Sequence, residues 1–306
     1  MKILKKTYWL LIMGVFPFGL AFGQQQAMFT QYMFNGLAIN PAYAGSQDGV
    51  SFTALARRQW TGLNGAPSTE TFSVHGPLKN RKIALGLQLY HDAVGIADQY
   101  GVYGVYAYRI DMGRGTLAAG VQGGFNSYRA RYSSVFVKSG DDPHFSADDA
   151  SGMLPNFGAG LYYSTKKFYA GFSLPHLITN PLPGSVVSRA QQYRHWFFTT
   201  GTVVTLSEQM KLKPSILVKA VEGAPVEVDV NANLLIKELL WLGVSYRSFA
   251  ALSFLAELQI TRPLRLGYAY DYTLTTLKSS HSGTHELMIN YRLRFDRSKA
   301  ISPRYF

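Results

Sequence analysis

Residues 225–295 sort their side chains onto two faces with a period of two. In 263–272, Leu264, Leu266, Tyr268, Tyr270 and Tyr272 alternate with Arg265, Gly267, Ala269 and Asp271. In 284–295, Leu287, Ile289, Tyr291, Leu293 and Phe295 alternate with Met288, Asn290, Arg292 and Arg294. The same pattern runs through 250–260, with Leu252, Phe254 and Leu258 against Ser253, Glu257 and Gln259, and through 225–236, with Val226, Val228 and Val230 against Glu227, Asp229 and Asn231. A two-residue period is that of a β-strand. Segments of about ten residues with one apolar and one polar face match strands that meet lipid on one side and a wet lumen on the other. A soluble sandwich also alternates, but its strands are usually shorter and its polar face is outermost.

The opening of the chain explains how it would reach such a membrane. Lys2, Lys5 and Lys6 precede an apolar run from Tyr8 to Phe22, and Ala21 and Gly23 take the small-residue positions of a cleavage site. Residues 1–23 therefore read as a signal peptide, with Gln24 as the new first residue. No comparable apolar run follows. Only 16% of residues are charged, against about 25% in a soluble domain, while 20 Tyr, 19 Phe and 29 Gly suit aromatic girdles and tight turns. There are no cysteines, and a closed barrel, with every strand paired, needs none. The 30 Lys and Arg exceed the 18 Asp and Glu even without the leader's lysines. Export removes the chain from nucleic acid, so anionic lipid or an acidic protein is the expected partner of that excess.

Further strands are expected at 50–60, 68–77, 81–91, 99–110, 115–128, 155–164, 167–174, 193–206, 212–220 and 238–247, which makes fourteen in all, an even number as such barrels require. The expected long links, 61–67, 92–98, 129–154, 175–192 and 273–283, each follow an odd-numbered strand. The short ones follow even-numbered strands. Short periplasmic turns and long outer loops would produce that segregation. The layout is a signal peptide at 1–23, a segment without strand period at 24–49, an all-β antiparallel transmembrane barrel at 50–295 and a tail at 296–306.

Enzymatic signals are weak. The seven histidines are scattered without metal-ligand spacing, and no catalytic residues, metal or cofactor are expected. Three groups could carry a function. Glu227, Asp229, Glu257, Arg265, Asp271, Arg292 and Arg294 should line the lumen, either as walls of a water-filled pore or as charge pairs that close it. Asp141, Asp142, Asp148 and Asp149 crowd one outer loop; such an oxygen-rich loop suits Ca²⁺, but the spacing matches no calcium motif, so a solvated loop, open to contact with cargo, is expected. Tyr32, Phe34, Asn35, Asn40, Pro41, Tyr43 and Gly45 precede the first strand and would either plug the lumen or dock a partner.

That last group opens Gln31-Tyr32-Met33-Phe34-Asn35 and continues Ile39-Asn40-Pro41-Ala42-Tyr43-Ala44-Gly45. It resembles the opening signature of the PorP/SprF membrane proteins of the type IX secretion system. Arg58-Gln59-Trp60, Leu85-Gly86-Leu87, His91-Asp92-Ala93-Val94-Gly95, Gly158-Ala159-Gly160, Gly267-Tyr268-Ala269-Tyr270-Asp271 and His285-Glu286-Leu287 extend the resemblance along the mature chain. The tail beyond Phe295 departs from it. The resemblance implies an outer-membrane barrel, of the size of FadL proteins, that supports export, anchoring or surface display of a large adhesin-like protein. It also implies other type IX components as partners, a link to a periplasmic, peptidoglycan-associated complex, and an association with gliding motility. The competing reading is an outer-membrane diffusion channel or a transporter of hydrophobic substrates.

Overall fold

The computed structural model describes residues 28–134, 149–183 and 191–294; the expected signal peptide at 1–23, the expected tail at 296–306 and the carboxylates Asp141, Asp142 and Asp148 lie outside them. Fourteen antiparallel strands close into one barrel. In chain order they are β1 (Val50–Arg58), β2 (Ser68–Pro77), β3 (Ile83–Val94), β4 (Ala97–Met112), β5 (Gly115–Ala130), β6 (Ala150–Ser164) and β7 (Phe168–Leu174). There follow β8 (His195–Thr202, resumed at Val204–Thr205), β9 (Met210–Val221), β10 (Glu227–Ile236), β11 (Leu240–Arg247), β12 (Ala251–Gln259), β13 (Leu264–Thr273) and β14 (Thr284–Leu293). Each strand pairs with its sequence neighbours, and β14 returns to β1 in a register running from Val50↔Leu293 to Arg58↔His285. Among the described residues every strand has a strand partner on both sides, so the sheet closes on itself, as membrane immersion requires.

The facing is the one that the alternation dictates. Leu266, Tyr268 and Tyr272 of β13 are exposed, whereas Gly267, Ala269 and Asp271 are buried. On β14, Leu287, Ile289 and Tyr291 point out while Glu286, Met288 and Asn290 are buried. Large exposed apolar side chains thus coat the outside, and polar ones fill the inside, the reverse of a soluble core. Among the described residues no helix is long and apolar enough to cross a membrane; the crossing elements are strands.

Three differences from the sequence reading have physical causes. The link expected at 92–98 is only Gly95 and Ile96, because the β3–β4 ladder continues to Val94↔Ala97. Polar residues there are held on the sheet by cross-strand contacts: His91 stands 2.9 Å from Glu70 and 3.3 Å from Asp98, and its ring stacks on Tyr100. β1 stops at Arg58 rather than at residue 60, since Trp60 adopts a positive φ of 50° in a turn. β6 begins at Ala150, five residues earlier than expected, because it pairs with β5 as far as Ala130↔Ala150. The longest connections still follow β1, β5, β7 and β13, so one end of the barrel is the long-link end and the other carries the short turns.

Beside β6, the wall is completed by a loop. β7 pairs with β6 only over Ala159–Ser164. Beyond it, Leu177 N–H donates to the Phe157 carbonyl, Asn180 to Pro155, and Asn156 both donates to and accepts from Ile178. Side-chain amides replace a ladder that Pro175 and Pro181 cannot complete. His176, in this loop, lies against Tyr103 of β4.

Candidate functional site: the filled lumen

The lumen holds the stretch that precedes β1. Nearly every residue from Phe29 to Gln47 is buried, among them Tyr32, Phe34, Asn35, Asn40, Pro41, Tyr43 and Gly45. The stretch folds as turns and two short 3-10 helices, Gly36–Ala38 and Pro41–Tyr43. Asn40 caps the second: its side-chain oxygen accepts from Ala42 N–H at 2.9 Å, and Pro41 takes the first helical position, where its missing N–H is no loss. The Asn40 amide then donates 3.0 Å to the Leu161 carbonyl of β6. Gly45, with φ 68°, makes the turn towards β1, and its N–H donates to His75 at 3.1 Å.

Two glycines let this helix lie on the wall. A Cβ on Gly120 of β5 would overlap the Pro41–Ala42 main chain, and one on Gly160 of β6 would overlap Asn40. Tyr43 packs edge-on against Tyr162 and His75, and Gln47 donates to its hydroxyl. Tyr32, Gly36, Asn40, Tyr43, Tyr162 and Tyr169 line a cavity of about 20 Å³, room for about one water.

On the opposite wall, Phe34 meets Trp241 at 5.8 Å, and the Lys213 ammonium lies 5.1 Å from the Phe34 ring and 5.9 Å from Trp241. A fully buried lysine is costly unless something replaces water around it. Here aromatic faces and the Met33 carbonyl, 3.3 Å away, do so. Asn231 donates 2.7 Å to the Tyr32 hydroxyl, and the Ser173 hydroxyl donates 2.6 Å to Ile39.

Charge takes over nearer the long-link end. Both Glu286 oxygens accept main-chain N–H groups, from Thr30 at 2.9 Å and Gln31 at 2.8 Å. Asp271 accepts from the Thr30 hydroxyl at 2.8 Å. Arg57 spans the two carboxylates, 2.7 Å from Asp271 and 2.9 Å from Glu286, and donates to Thr30 as well. Arg247 adds a second bridge, 3.1 Å from Asp229, 3.6 Å from Glu227 and 3.8 Å from Asp271. Towards the short turns, Arg265 pairs with Glu257 at 2.8 Å.

Of the charges expected to face inward, Asp229, Glu257 and Asp271 are buried and Glu227, Arg265 and Arg292 are half-buried; the Arg265–Glu257 and Arg247–Asp229 pairs join adjacent strands, whereas Arg57 and Arg247 each reach Asp271 across an intervening strand. Arg294 is different: β14 ends at Leu293, and Arg294 is exposed at the short-turn rim. Asp149 lies apart, outside the barrel mouth, where the Ser133 hydroxyl at 2.8 Å holds its carboxyl below the usual range and Arg129 adds to the effect. Sequence reasoning missed Arg57, Lys213, Arg247, Thr30, Gln31 and Glu286. The signal for Arg57 was its parity with Ser51 and Thr53, and for Glu286 its parity with Met288 and Asn290. Among the described residues no three histidines or carboxylates come together as metal ligands.

A family model described as "Type IX secretion system membrane protein PorP/SprF" matches residues 21–291. No curated protein matches the sequence. Among solved structures, the CymD monoaromatic hydrocarbon channel superposes with a TM-score of 0.52 at 11% identity, covering 89% of this chain and 95% of its own. A FadL homologue from Pseudomonas aeruginosa has 13% identity and a TM-score of 0.47, with 89% and 96% covered. At such identities the first likeness speaks to the fold alone, and it is an outer-membrane-type barrel.

Proposed function

Because the chain belongs to the PorP/SprF family of type IX secretion system membrane proteins, it is an outer-membrane barrel of that export system, and we propose that it works there as a closed docking element rather than as a conduit. Family and fold are those of a secretion component, not of a known enzyme class. The observation that carries the reading is the lumen: residues 29–47 fill it, with main chain and side chains bonded to the wall on every side. A barrel built to pass solutes gains nothing from Glu286, Asp271 and Arg57 gripping such a filling. A barrel built to present a rigid surface does, because a packed interior fixes the shape of both mouths.

In this reading the lipid-facing wall sits in the outer membrane, and the long links offer contacts to a large surface protein awaiting export, anchoring or display. The short turns would face a periplasmic, peptidoglycan-associated complex. Deletion of the gene should abolish surface display of one or a few large proteins and leave uptake of small nutrients unchanged. The purified barrel should also be silent in planar bilayers. Normal display with altered uptake, or stable conductance steps from the intact barrel, would overturn the proposal in favour of a diffusion channel.

A further inference from the structure

The filling has a direction. Gly49 and Val50 lie at the short-turn end, where Val50 pairs with Leu293 and Gly49 abuts the Leu293 carbonyl. Gly45 is beside Pro77 and Ala84, at the β2–β3 turn. Traced backwards, the chain does not leave by that mouth. It crosses to Lys213 at Met33, passes Asn231 at Tyr32, and at Thr30 and Gln31 reaches Glu286, Asp271 and Arg57. All three lie near the long-link ends of their strands: Arg57 is next to the last residue of β1, Asp271 is two from the end of β13, and Glu286 is two from the start of β14.

We propose that this trio is a receptor for main chain that threads the segment through the barrel, so that the mature N-terminus is delivered to the cell surface. The chemistry suits the task. Consecutive N–H groups at the start of a turn lack main-chain acceptors, and a carboxylate with one oxygen on each replaces them. Glu286 supplies that carboxylate from the wall, and Arg57 holds it and Asp271 in place. The segment carries no charged side chain from Gln24 to Gln47, so only the ammonium of its own terminus resists passage through a buried interior. The receptor reads main chain and one hydroxyl, so its grip depends on the turn's shape more than on its side chains. The inference stands independently of the role in secretion, since it concerns only which side the chain reaches.

The absence of cysteine makes the test clean. A flexible epitope is inserted between Ala27 and Met28, and antibody binding is compared in intact and permeabilised cells. Single cysteines at Phe249, in the β11–β12 turn of the long-link end, and at Lys79, in a short turn, calibrate sidedness with an impermeant maleimide. The epitope should be read on intact cells, as Phe249→Cys is, while Lys79→Cys stays unlabelled until permeabilisation. An epitope read only after permeabilisation, with the calibrating pair behaving as stated, would overturn the proposal. Should the insertion prevent folding, Ala27→Cys is labelled in its place with the same two outcomes. Glu286→Gln should expose Phe29 and Tyr32 to chymotrypsin added outside intact cells. Unchanged resistance in a folded Glu286→Gln barrel would remove the trio from the role of receptor.

Discussion

The two halves of the lumen hold one segment by different physics. Towards the short turns, rings and amides do the work: Tyr43 against Tyr162 and His75, Asn40 capping Pro41–Tyr43, and glycines where the helix touches the wall. Towards the long links, a guanidinium and two carboxylates grip a turn. Packing of the first kind degrades by degrees as groups are trimmed. A buried charge network is all or nothing, because removing one member strands the others in a low dielectric. The short-turn half therefore sets shape, and the long-link half sets position and direction.

The sharpest way to break this contrast is Arg57→Ala. It leaves Asp271 and Glu286 buried without their shared cation, at a cost of about 3–5 kcal/mol, and the temperature at which the folded barrel converts on a gel should fall steeply. A shift no larger than that from a trimmed aromatic would erase the distinction. Gly120→Val comes next. Its side chain would occupy the space of Pro41 and Ala42, at roughly 1–3 kcal/mol of overpacking. Residues 36–47 should become open to protease while the strand ladder, read by circular dichroism, persists. Loss of the ladder itself would make the segment a folding element rather than an insert. Asn40→Ala removes a cap and a wall contact, worth about 1 kcal/mol, and should shift the conversion midpoint slightly; a collapse would place the grip in the wrong half. Arg58→Ala, one residue along from Arg57, breaks an exposed pair with Glu70, worth about 0–1 kcal/mol. Its midpoint should match the unmodified protein.

The strand count and facing were legible because a two-residue period needs only the local sequence. Leu266 out and Asp271 in follow from parity alone. The path of residues 28–47 was not legible: the sequence left a plug and a docking surface open, because turns and 3-10 helices lack a period long enough to betray a face. The trio was hidden for a related reason. Arg57, Asp271 and Glu286 stand more than two hundred residues apart at their widest and meet only because β1 closes on β14. Nor could local sequence show that β3 and β4 continue past His91, since what holds them is a contact between Glu70, His91 and Asp98 on three strands.

The outer wall is uneven in a way the bilayer must answer. On β4, exposed apolar side chains run from Tyr100 through Tyr106 and Ile110 to Met112, which at the usual rise and tilt is a band roughly 28 Å tall. On β12 and β13 the outward apolar run goes only from Leu252 to Ile260 and from Leu264 to Tyr272, roughly 19 Å by the same reckoning. Phe249, 87% exposed, projects from the turn after β11 at the rim of that short wall. A lopsided belt makes the surrounding leaflets thin on one flank or makes the cylinder lean. Either response gives the barrel a preferred side in an otherwise uniform film, so that neighbours in the membrane would meet it from a defined direction.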